Sequence, residues 1–147
     1  IMKDAIQSKP VLAICVGMQA LMNTSEENGG VECLGFLDGE VRYFGDDLRH
    51  SDGLRLKVPH MGWNQVSQTI DHPLWKDVPD NSRFYFVHSY YVRTQQQGMV
   101  TGVSRYGNDF VATLADNNIF AVQFHPEKSQ TVGLTLLHNF LLWDGAV

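Results

Sequence analysis

The stretch Pro10-Val-Leu-Ala-Ile-Cys15-Val-Gly17-Met-Gln19 decides how this chain is expected to fold. Val11 to Ile14 form a short apolar run with the length and β-branched content of a buried parallel strand. Beyond Gly17, apolar residues recur at helical spacing, which predicts a helix to about Asn23. Cys15 therefore stands at a sharp turn from strand to helix, an arrangement that lifts a nucleophile above the end of a strand.

The position of Cys15 favours reactivity, although simple burial is an alternative explanation. A helix N-terminus directs unpaired N–H groups and the positive end of its dipole at the sulfur, and we expect both to favour the thiolate. Free cysteine is also among the residues most often buried, and buried cysteines are commonly inert. Support for a functional cysteine must therefore come from elsewhere in the chain.

Composition and charge limit the possible classes of protein. The 147 residues fit one domain, residues 1–147, and the content of 44% hydrophobic and 18% charged residues is typical of a soluble globular protein. A net charge of −5 argues against a nucleic-acid partner, and no apolar run reaches the length of a membrane helix. Two cysteines do not make a disulfide framework, and the histidines lack metal-ligand spacing. We predict a cytoplasmic protein with no metal, cofactor or membrane partner.

The rest of the chain predicts an α/β fold of short strands and a final helix. Leu54–Val58 alternates apolar and polar residues, which favours a half-buried strand. Further β-prone runs follow, and the last of them is Ile119–Phe124. A helix is predicted from Ser129 to about Trp143. Its predicted apolar face consists of Leu134, Leu137, His138, Leu141 and Leu142.

The second chemical feature is His125-Pro126-Glu127, which directly follows the last apolar strand. At the end of a strand, residues i and i+2 point to the same face, so the imidazole and the carboxylate can lie side by side. The carboxylate fixes the tautomer, and the other ring nitrogen can take a proton from a thiol. Because the carboxyl ends of parallel strands meet at one edge of a sheet, we expect Cys15 and His125 in one crevice.

These motifs resemble those of the class I (triad) glutamine amidotransferases. Cys15-Val-Gly17-Met-Gln19 together with His125-Pro126-Glu127 is similar to the catalytic signature of that class. Further blocks resemble the glutaminase subunits of imidazole glycerol phosphate synthase, an enzyme of histidine biosynthesis. These blocks are Pro59-His-Met-Gly-Trp-Asn64, Phe86-Val-His-Ser-Tyr90 and Phe124-His-Pro-Glu-Lys-Ser129. The likeness spans nearly the whole chain and implies a three-layer fold, with a flavodoxin-like central mixed sheet and helices on both faces.

The resemblance implies an enzyme that hydrolyses L-glutamine to glutamate and ammonia through a thioester on Cys15, without a cofactor. His125 would protonate the departing ammonia and then activate water, and Glu127 would orient His125. The backbone N–H of Val16 would donate to the oxyanion. The resemblance also implies which residues bind glutamine: Gln19, Glu27, His88, Ser89 and Tyr90.

A partner is implied as well. Such subunits dock on a cyclase with a (β/α)8 barrel, forming a heterodimer, and deliver ammonia to it through an enclosed path. The cyclase makes imidazole glycerol phosphate and an aminoimidazole carboxamide ribonucleotide. Met61, Trp63 and Lys128 match residues of the docking face. The family has βα units before the strand at Pro10, so we expect this chain, which lacks them, to be the C-terminal portion of a longer polypeptide.

Two other functions are compatible with the sequence. The same chemistry would serve another class I amidotransferase or a γ-glutamyl hydrolase, and the identity of the partner would separate these from the first interpretation. A non-catalytic folded module is the second alternative, because a chain without the N-terminal units could keep its fold without turnover. A glutaminase assay with and without the barrel partner distinguishes them.

Overall fold

The computed structural model, which describes residues 1–146, has two short α-helices near its start and one longer α-helix near its end, with most of its strands between them. The α-helices are α1 (Met2–Ser8), α2 (Val16–Ala20) and α3 (Gln130–Leu142). The strands are β1 (Val11–Ile14), β2 (Thr24–Ser25), β3 (Val31–Glu32), β4 (Glu40–Tyr43), β5 (His60–Gln68), β6 (Ser82–His88), β7 (Tyr90–Arg93), β8 (Val100–Tyr106), β9 (Asn108–Asp116) and β10 (Ile119–Val122). Single 3-10 turns span Glu27–Gly29, Pro73–Trp75, Gln97–Met99 and Pro126–Lys128.

The strands join one mixed sheet in the order β3-β2-β4-β7-β9-β8-β5-β6, and β10 connects β9 to β1. Strand β1 runs parallel to β10, with Ile14 opposite Val122, and β2 runs parallel to β4. The other neighbours, such as β5 with β6 and β8 with β9, are antiparallel. This central mixed sheet with its helices confirms the predicted α/β class.

The parallel pair of β1 and β10 sets the geometry of the edge where the chemical motifs lie. Every residue of β10 is buried, as expected for a strand covered on both faces. Phe120 and Phe124 anchor its end in an aromatic cluster, in which Phe84 and Phe124 stack at a centroid distance of 4.0 Å. The carboxyl ends of β1 and β10 are thereby held side by side, as the sequence predicts.

The predicted apolar face of α3 is wrong. Leu134, Leu141 and Leu142 are exposed, whereas the face turned to the core carries Gly133, Leu136 and Asn139. His138 is exposed and Leu137 is half-buried. The cause is a close contact at the start of the helix: a Cβ on Gly133 would lie 1.9 Å from the carbonyl oxygen of Pro126. Only glycine permits that approach, and it rotates the leucines outward.

Two boundaries also differ from the prediction because tertiary pairing overrides local pattern. Leu54–Val58 forms no strand beyond an isolated bridge at Arg55, and the next strand, β5, begins only at His60. Helix α2 ends at Ala20 rather than near Asn23. The reason is that the carbonyls of residues 20–22 accept hydrogen bonds from the N–H groups of residues 34, 35 and 37. No helix of the described residues is long and apolar enough to span a membrane.

Candidate active site

Cys15 occupies the corner between β1 and α2 that the sequence predicts. Its φ of +54° and ψ of −108° lie outside the regions that ordinary residues favour, a strain typical of functional positions. Its N–H donates to Val122 O at 2.8 Å, which extends the β1–β10 pairing to the corner. Helix α2 then begins at Val16. The side chain is therefore raised at the carboxyl end of a strand with a helix start beneath it.

The thiol of Cys15 is held in its neutral form. Burial raises its pKa above the ordinary value of 9.0, and the charge on Glu127 acts in the same direction. Hydrogen bonds from the Val16 N–H and the Gln123 side chain oppose this effect without reversing it. The helix start does favour the thiolate, as expected, through the Val16 N–H, but the effect of burial on the pKa of Cys15 is larger. A neutral thiol needs a neighbouring base before it can act as a nucleophile.

His125 is paired with Glu127 at the end of β10. Its Nδ1 lies 2.6 Å from Glu127 Oε1; His125 directly precedes the 3-10 turn at Pro126–Lys128, and Glu127 lies within that turn. Because a carboxylate only accepts, Nδ1 carries the proton, and Nε2 is left as an acceptor. The thiol proton itself is directed at Val87 O, 3.8 Å from Sγ. The arrangement supplies a base with a fixed tautomer at the same sheet edge as Cys15.

The backbone of His125 is fixed by two residues that were not predicted as site residues, Tyr85 and Ser129. Its N–H donates to Tyr85 O at 2.9 Å, and Ser129 Oγ donates to His125 O at 2.6 Å. The hydroxyl of Ser129 also accepts from the Tyr85 N–H at 2.9 Å, and Ser129 is fully buried. Strand β6 therefore holds the imidazole-bearing turn in place.

Gln19 lies one turn into α2, and its side chain reaches Tyr90 and Gln123. Its Nε2 donates to Tyr90 O at 3.1 Å and to Gln123 Oε1 at 3.0 Å. Its Oε1 accepts no hydrogen bond within the described part of the chain. Gln123, whose Nε2 lies 3.7 Å from Cys15 Sγ, was missed by sequence reasoning. The available signal was a lone amide side chain inside an apolar run.

His88 is enclosed within the protein. Its Nδ1 lies 2.8 Å from Tyr90 O and its Nε2 lies 2.9 Å from Nδ1 of His60, its buried neighbour on β5. Burial lowers the pKa of His88 to about 4 and the pKa of His60 to about 3, so both rings are neutral. The imidazole of His88 therefore supports the segment at residues 87–90 from within. Ser89 and Tyr90 are partly exposed on that segment, and the Tyr90 ring lies 5.3 Å from Tyr43.

Glu27 lies outside this hydrogen-bonded cluster. It begins the turn at Glu27–Gly29, is exposed, and its N–H donates to Ser25 Oγ at 3.2 Å. The carboxylate of the neighbouring Glu26 is hydrogen-bonded within the protein, since it accepts from the Arg42 side chain and from the N–H of Tyr43. The structure thus leaves the Glu27 carboxylate at the surface.

Met61, Trp63 and Lys128 lie on the surface of the protein. Met61 and Trp63 lie two positions apart on β5 and so share one face of the strand. They are 62% and 44% exposed, high values for apolar side chains. The Trp63 ring packs edge-on against Tyr85 at 5.9 Å, next to the turn that carries Lys128. Among residues 1–146, no group of three or more acidic, cysteine and histidine side chains is placed to hold a metal ion.

A family model supports what the geometry indicates. The model described as "Glutamine amidotransferase class-I" matches residues 1–143. The chain belongs to this family, and the predicted enzyme class is confirmed.

Within that class the chain is similar to the HisH subunits of imidazole glycerol phosphate synthase. It is 61% identical over 145 residues to the HisH of Pseudomonas putida and 59% identical to HisH 1 of Pseudomonas aeruginosa. Each alignment covers 99% of this chain and 68% of the relative. The HisH of Acinetobacter baylyi is 53% identical, again with 68% of its length covered.

Solved structures support the fold. A putative GMP synthase protein from Thermoplasma acidophilum superposes with a TM-score of 0.61 at 22% identity, covering 90% of this chain and 55% of that one. The glutaminase domain of Trypanosoma brucei CTPS, solved with bound acivicin, gives a TM-score of 0.58 at 20% identity, covering 92% and 61%. These likenesses confirm a class I amidotransferase fold.

Proposed function

We propose that this chain is the glutaminase part of an imidazole glycerol phosphate synthase and hydrolyses L-glutamine to glutamate and ammonia. The observation that carries the proposal is the placement of Cys15 and the His125–Glu127 pair at the carboxyl ends of two neighbouring parallel strands. A buried thiol at a strained corner and a carboxylate-paired imidazole are the two parts that nucleophilic attack on an amide requires. The HisH relatives support the choice of synthase.

The reaction follows from the atoms at the site. His125 Nε2 takes the proton from Cys15 Sγ, and the sulfur attacks the side-chain carbonyl carbon of glutamine. The Val16 N–H, which already points at Cys15, stabilises the oxyanion that forms. The imidazolium gives its proton to the departing nitrogen, leaving a thioester. His125 then deprotonates a water molecule, which attacks the thioester and releases glutamate.

Glutamine would be held by the acceptors around the crevice. The Oε1 of Gln19 and the exposed carboxylate of Glu27 are suited to the α-ammonium group, which only donates. Ser89 and Tyr90 would line the opposite wall, and His88 would hold that wall from behind. Cys15 would then face the carboxamide.

The partner in this proposal is a (β/α)8-barrel cyclase that forms a heterodimer with the glutaminase in the cytoplasm. It would use the ammonia to make imidazole glycerol phosphate and an aminoimidazole carboxamide ribonucleotide. Ammonia released to water would be protonated and lost as a nucleophile, so the crevice and the partner must share an enclosed path. The apolar surface of Met61 and Trp63, with Lys128 beside it, is suited to such docking.

An activity measurement tests the chemistry. Glutamate release is measured with and without the cyclase, in the unaltered protein and in Cys15→Ala, with Cys33→Ala as the matched control. We expect activity with the cyclase, its loss in Cys15→Ala, and its retention in Cys33→Ala. An electrophilic glutamine analogue such as acivicin should label Cys15 alone. Turnover that survives in Cys15→Ala would refute the proposal.

A binding measurement tests the partner. Trp63→Ala should weaken co-purification of the cyclase by about tenfold or more, the loss expected for a large aromatic at an interface. Ile70→Ala is the control, because Ile70 is 42% exposed, close to the value for Trp63. Equal binding by the two variants would argue against this docking face. Failure of the unaltered protein to bind the cyclase would point to another amidotransferase.

A further inference from the structure

Gln123 occupies a position where a glutamine is costly. It directly follows the four buried apolar residues of β10 and has no exposed surface of its own. Moving an amide out of water costs free energy unless protein groups form hydrogen bonds with it. Both ends of this amide are satisfied: the Oε1 accepts from Gln19 at 3.0 Å, and the Nε2 lies 3.7 Å from Cys15 Sγ. The buried amide of Gln123 is thus placed to act on the sulfur of Cys15.

The orientation of the amide is forced by its neighbours. Tyr90 O can only accept, so the NH2 group of Gln19, 3.1 Å away, must face it. The same NH2 group lies 3.0 Å from the Gln123 side chain, which must therefore present its oxygen there. The NH2 group of Gln123 is then left facing the sulfur. The Tyr90 carbonyl therefore fixes the orientation of both amides in the hydrogen-bond chain that runs from Gln19 through Gln123 to Cys15.

This hydrogen-bond chain stabilises the thiolate of Cys15 more than it stabilises the thiol. A thiolate accepts a hydrogen bond far better than a thiol does, and a charged acceptor strengthens the bond further in a buried site. Val87 O, which accepts the thiol proton in the resting state, offers a thiolate only repulsion. The Gln123 amide and the Val16 N–H are the donors at Cys15 that favour the thiolate.

We propose that Gln123 is a catalytic residue whose Nε2–H donates to Cys15 Sγ and stabilises the thiolate, with Gln19 fixing the orientation of its amide. When the S–H bond breaks, the proton passes to His125 Nε2 and the sulfur keeps the electron pair that attacks glutamine. Because Gln19 also offers Oε1 to the glutamine pocket, substrate recognition and thiolate formation share one residue. The catalytic part of the proposal rests on the proposed glutaminase function.

The test is the pH profile of Cys15 alkylation by iodoacetamide, read at the Cys15 peptide by mass spectrometry so that Cys33 does not interfere. Gln123→Met removes the N–H donor at similar size, and Gln123→Glu replaces it with a carboxylate. Gln95→Met, at an exposed position, is the control. We expect the pKa of Cys15 to rise in both Gln123 variants, slowing alkylation at pH 7 by about 3- to 10-fold, and more in Gln123→Glu. The control should match the unaltered protein.

Steady-state kinetics separates a catalytic from a merely structural role. Gln123→Met should lower kcat with little change in KM, whereas Gln19→Leu should also raise KM. In the unaltered protein, the side-chain NH2 resonance of Gln123 should titrate with the midpoint of alkylation, a readout that needs no variant to fold. An unchanged Cys15 pKa in a folded variant, or an NH2 resonance that does not titrate, would overturn the proposal. Alkylation needs no turnover, so absent glutaminase activity would count against the proposed function alone.

Discussion

The sheet edge at the ends of β1 and β10 and the interior between β5 and β6 both contain histidine, in opposite settings. His125 is partly exposed and lies 2.6 Å from a carboxylate. His60 and His88 lie 2.9 Å from each other, buried, with only neutral partners. A carboxylate lets an imidazole gain a proton during a reaction, whereas burial beside a second imidazole keeps it neutral. Environment, and not residue type, therefore separates the proposed base, His125, from the supporting histidines.

Replacement of His125 should produce the largest effect. His125→Asn removes the base and acid while the backbone anchors at Tyr85 and Ser129 remain. We expect kcat/KM for glutamine to fall by about 100- to 10,000-fold, the usual contribution of general acid–base catalysis. Glutamate release with the cyclase present measures it. His138→Asn on the outer surface of α3 is the control and should keep full activity. Similar losses in both variants would show that the loss in His125→Asn is not specific to the proposed site.

Loss of the carboxylate should cost less. In Glu127→Gln an amide oxygen still accepts from Nδ1, but the negative charge that stabilises the imidazolium is gone. Because Glu127 is about half exposed, we expect kcat to fall by about 10- to 100-fold, less than the loss of a buried triad carboxylate. Steady-state kinetics measures this, with Glu32→Gln on the exposed strand β3 as the control. A variant with unchanged kcat would show that the backbone anchors alone orient His125.

The interior pair should make folding stability sensitive to acid. The pKa of His60 is lowered to about 3 and the pKa of His88 to about 4, from an ordinary value of 6.5, by burial. The unfolded chain therefore binds protons first. The contribution of the pair to the free energy of unfolding is complete above about pH 6.5 and falls as the pH drops from 6.5 to about 4 for His88 and to about 3 for His60. At pH 5 the loss should reach about 2 kcal/mol for each histidine.

Urea unfolding at pH 7 and pH 5 measures this dependence. His72 adds to it, because burial lowers its pKa to about 4 as well. The contribution of the pair is isolated by His60→Gln, which should flatten the pH dependence, whereas His138→Gln should leave it unchanged. Equal dependence in the two variants would contradict the assignment of His60 as a buried neutral residue.

The smallest expected effect is the change in glutaminase activity when a histidine of the interior pair is replaced. His60→Gln loosens the support of His88, and through it the wall at residues 87–90. Since His60 does not touch Cys15 or His125 through a hydrogen bond, we expect a change in kcat/KM of only about 2- to 5-fold, a few tenths to one kcal/mol. Glutaminase kinetics at pH 7 measures it. A loss as large as that of His125→Asn would place His60 in the reaction itself.

The sequence predicted the parts of the site that depend on local chain geometry. The run of residues 11–14 and the turn at Cys15 fold as expected, because a short apolar strand followed by helical spacing has one favourable arrangement. His125 and Glu127 lie side by side as predicted, but a 3-10 turn at Pro126–Lys128 brings them together rather than a shared face of a strand, because β10 already ends at Val122. The pairing was therefore predicted from the sequence, and its local geometry was not.

Contacts between distant segments could not be predicted in the same way. The outward leucines of α3 follow from the contact of Gly133 with Pro126, which the helical pattern does not contain. The hold of β6 on His125 joins Tyr85 to Ser129, 44 positions apart. The suppressed acidity of Cys15 depends on how deeply neighbouring elements bury it. Gln123 is the exception, because it could have been predicted as a site residue from the sequence: an amide side chain within an apolar run is costly to bury and therefore indicates a chemical role.

The central claim is that Cys15 forms a covalent intermediate with glutamine. The most direct measurement is mass spectrometry of the protein, quenched in acid during turnover with glutamine and the cyclase. We predict an adduct of one γ-glutamyl group on Cys15, none on Cys33, and none in His125→Asn quenched at the same early time. Turnover with no adduct on Cys15, under conditions in which thioester hydrolysis has been slowed, would contradict the claim.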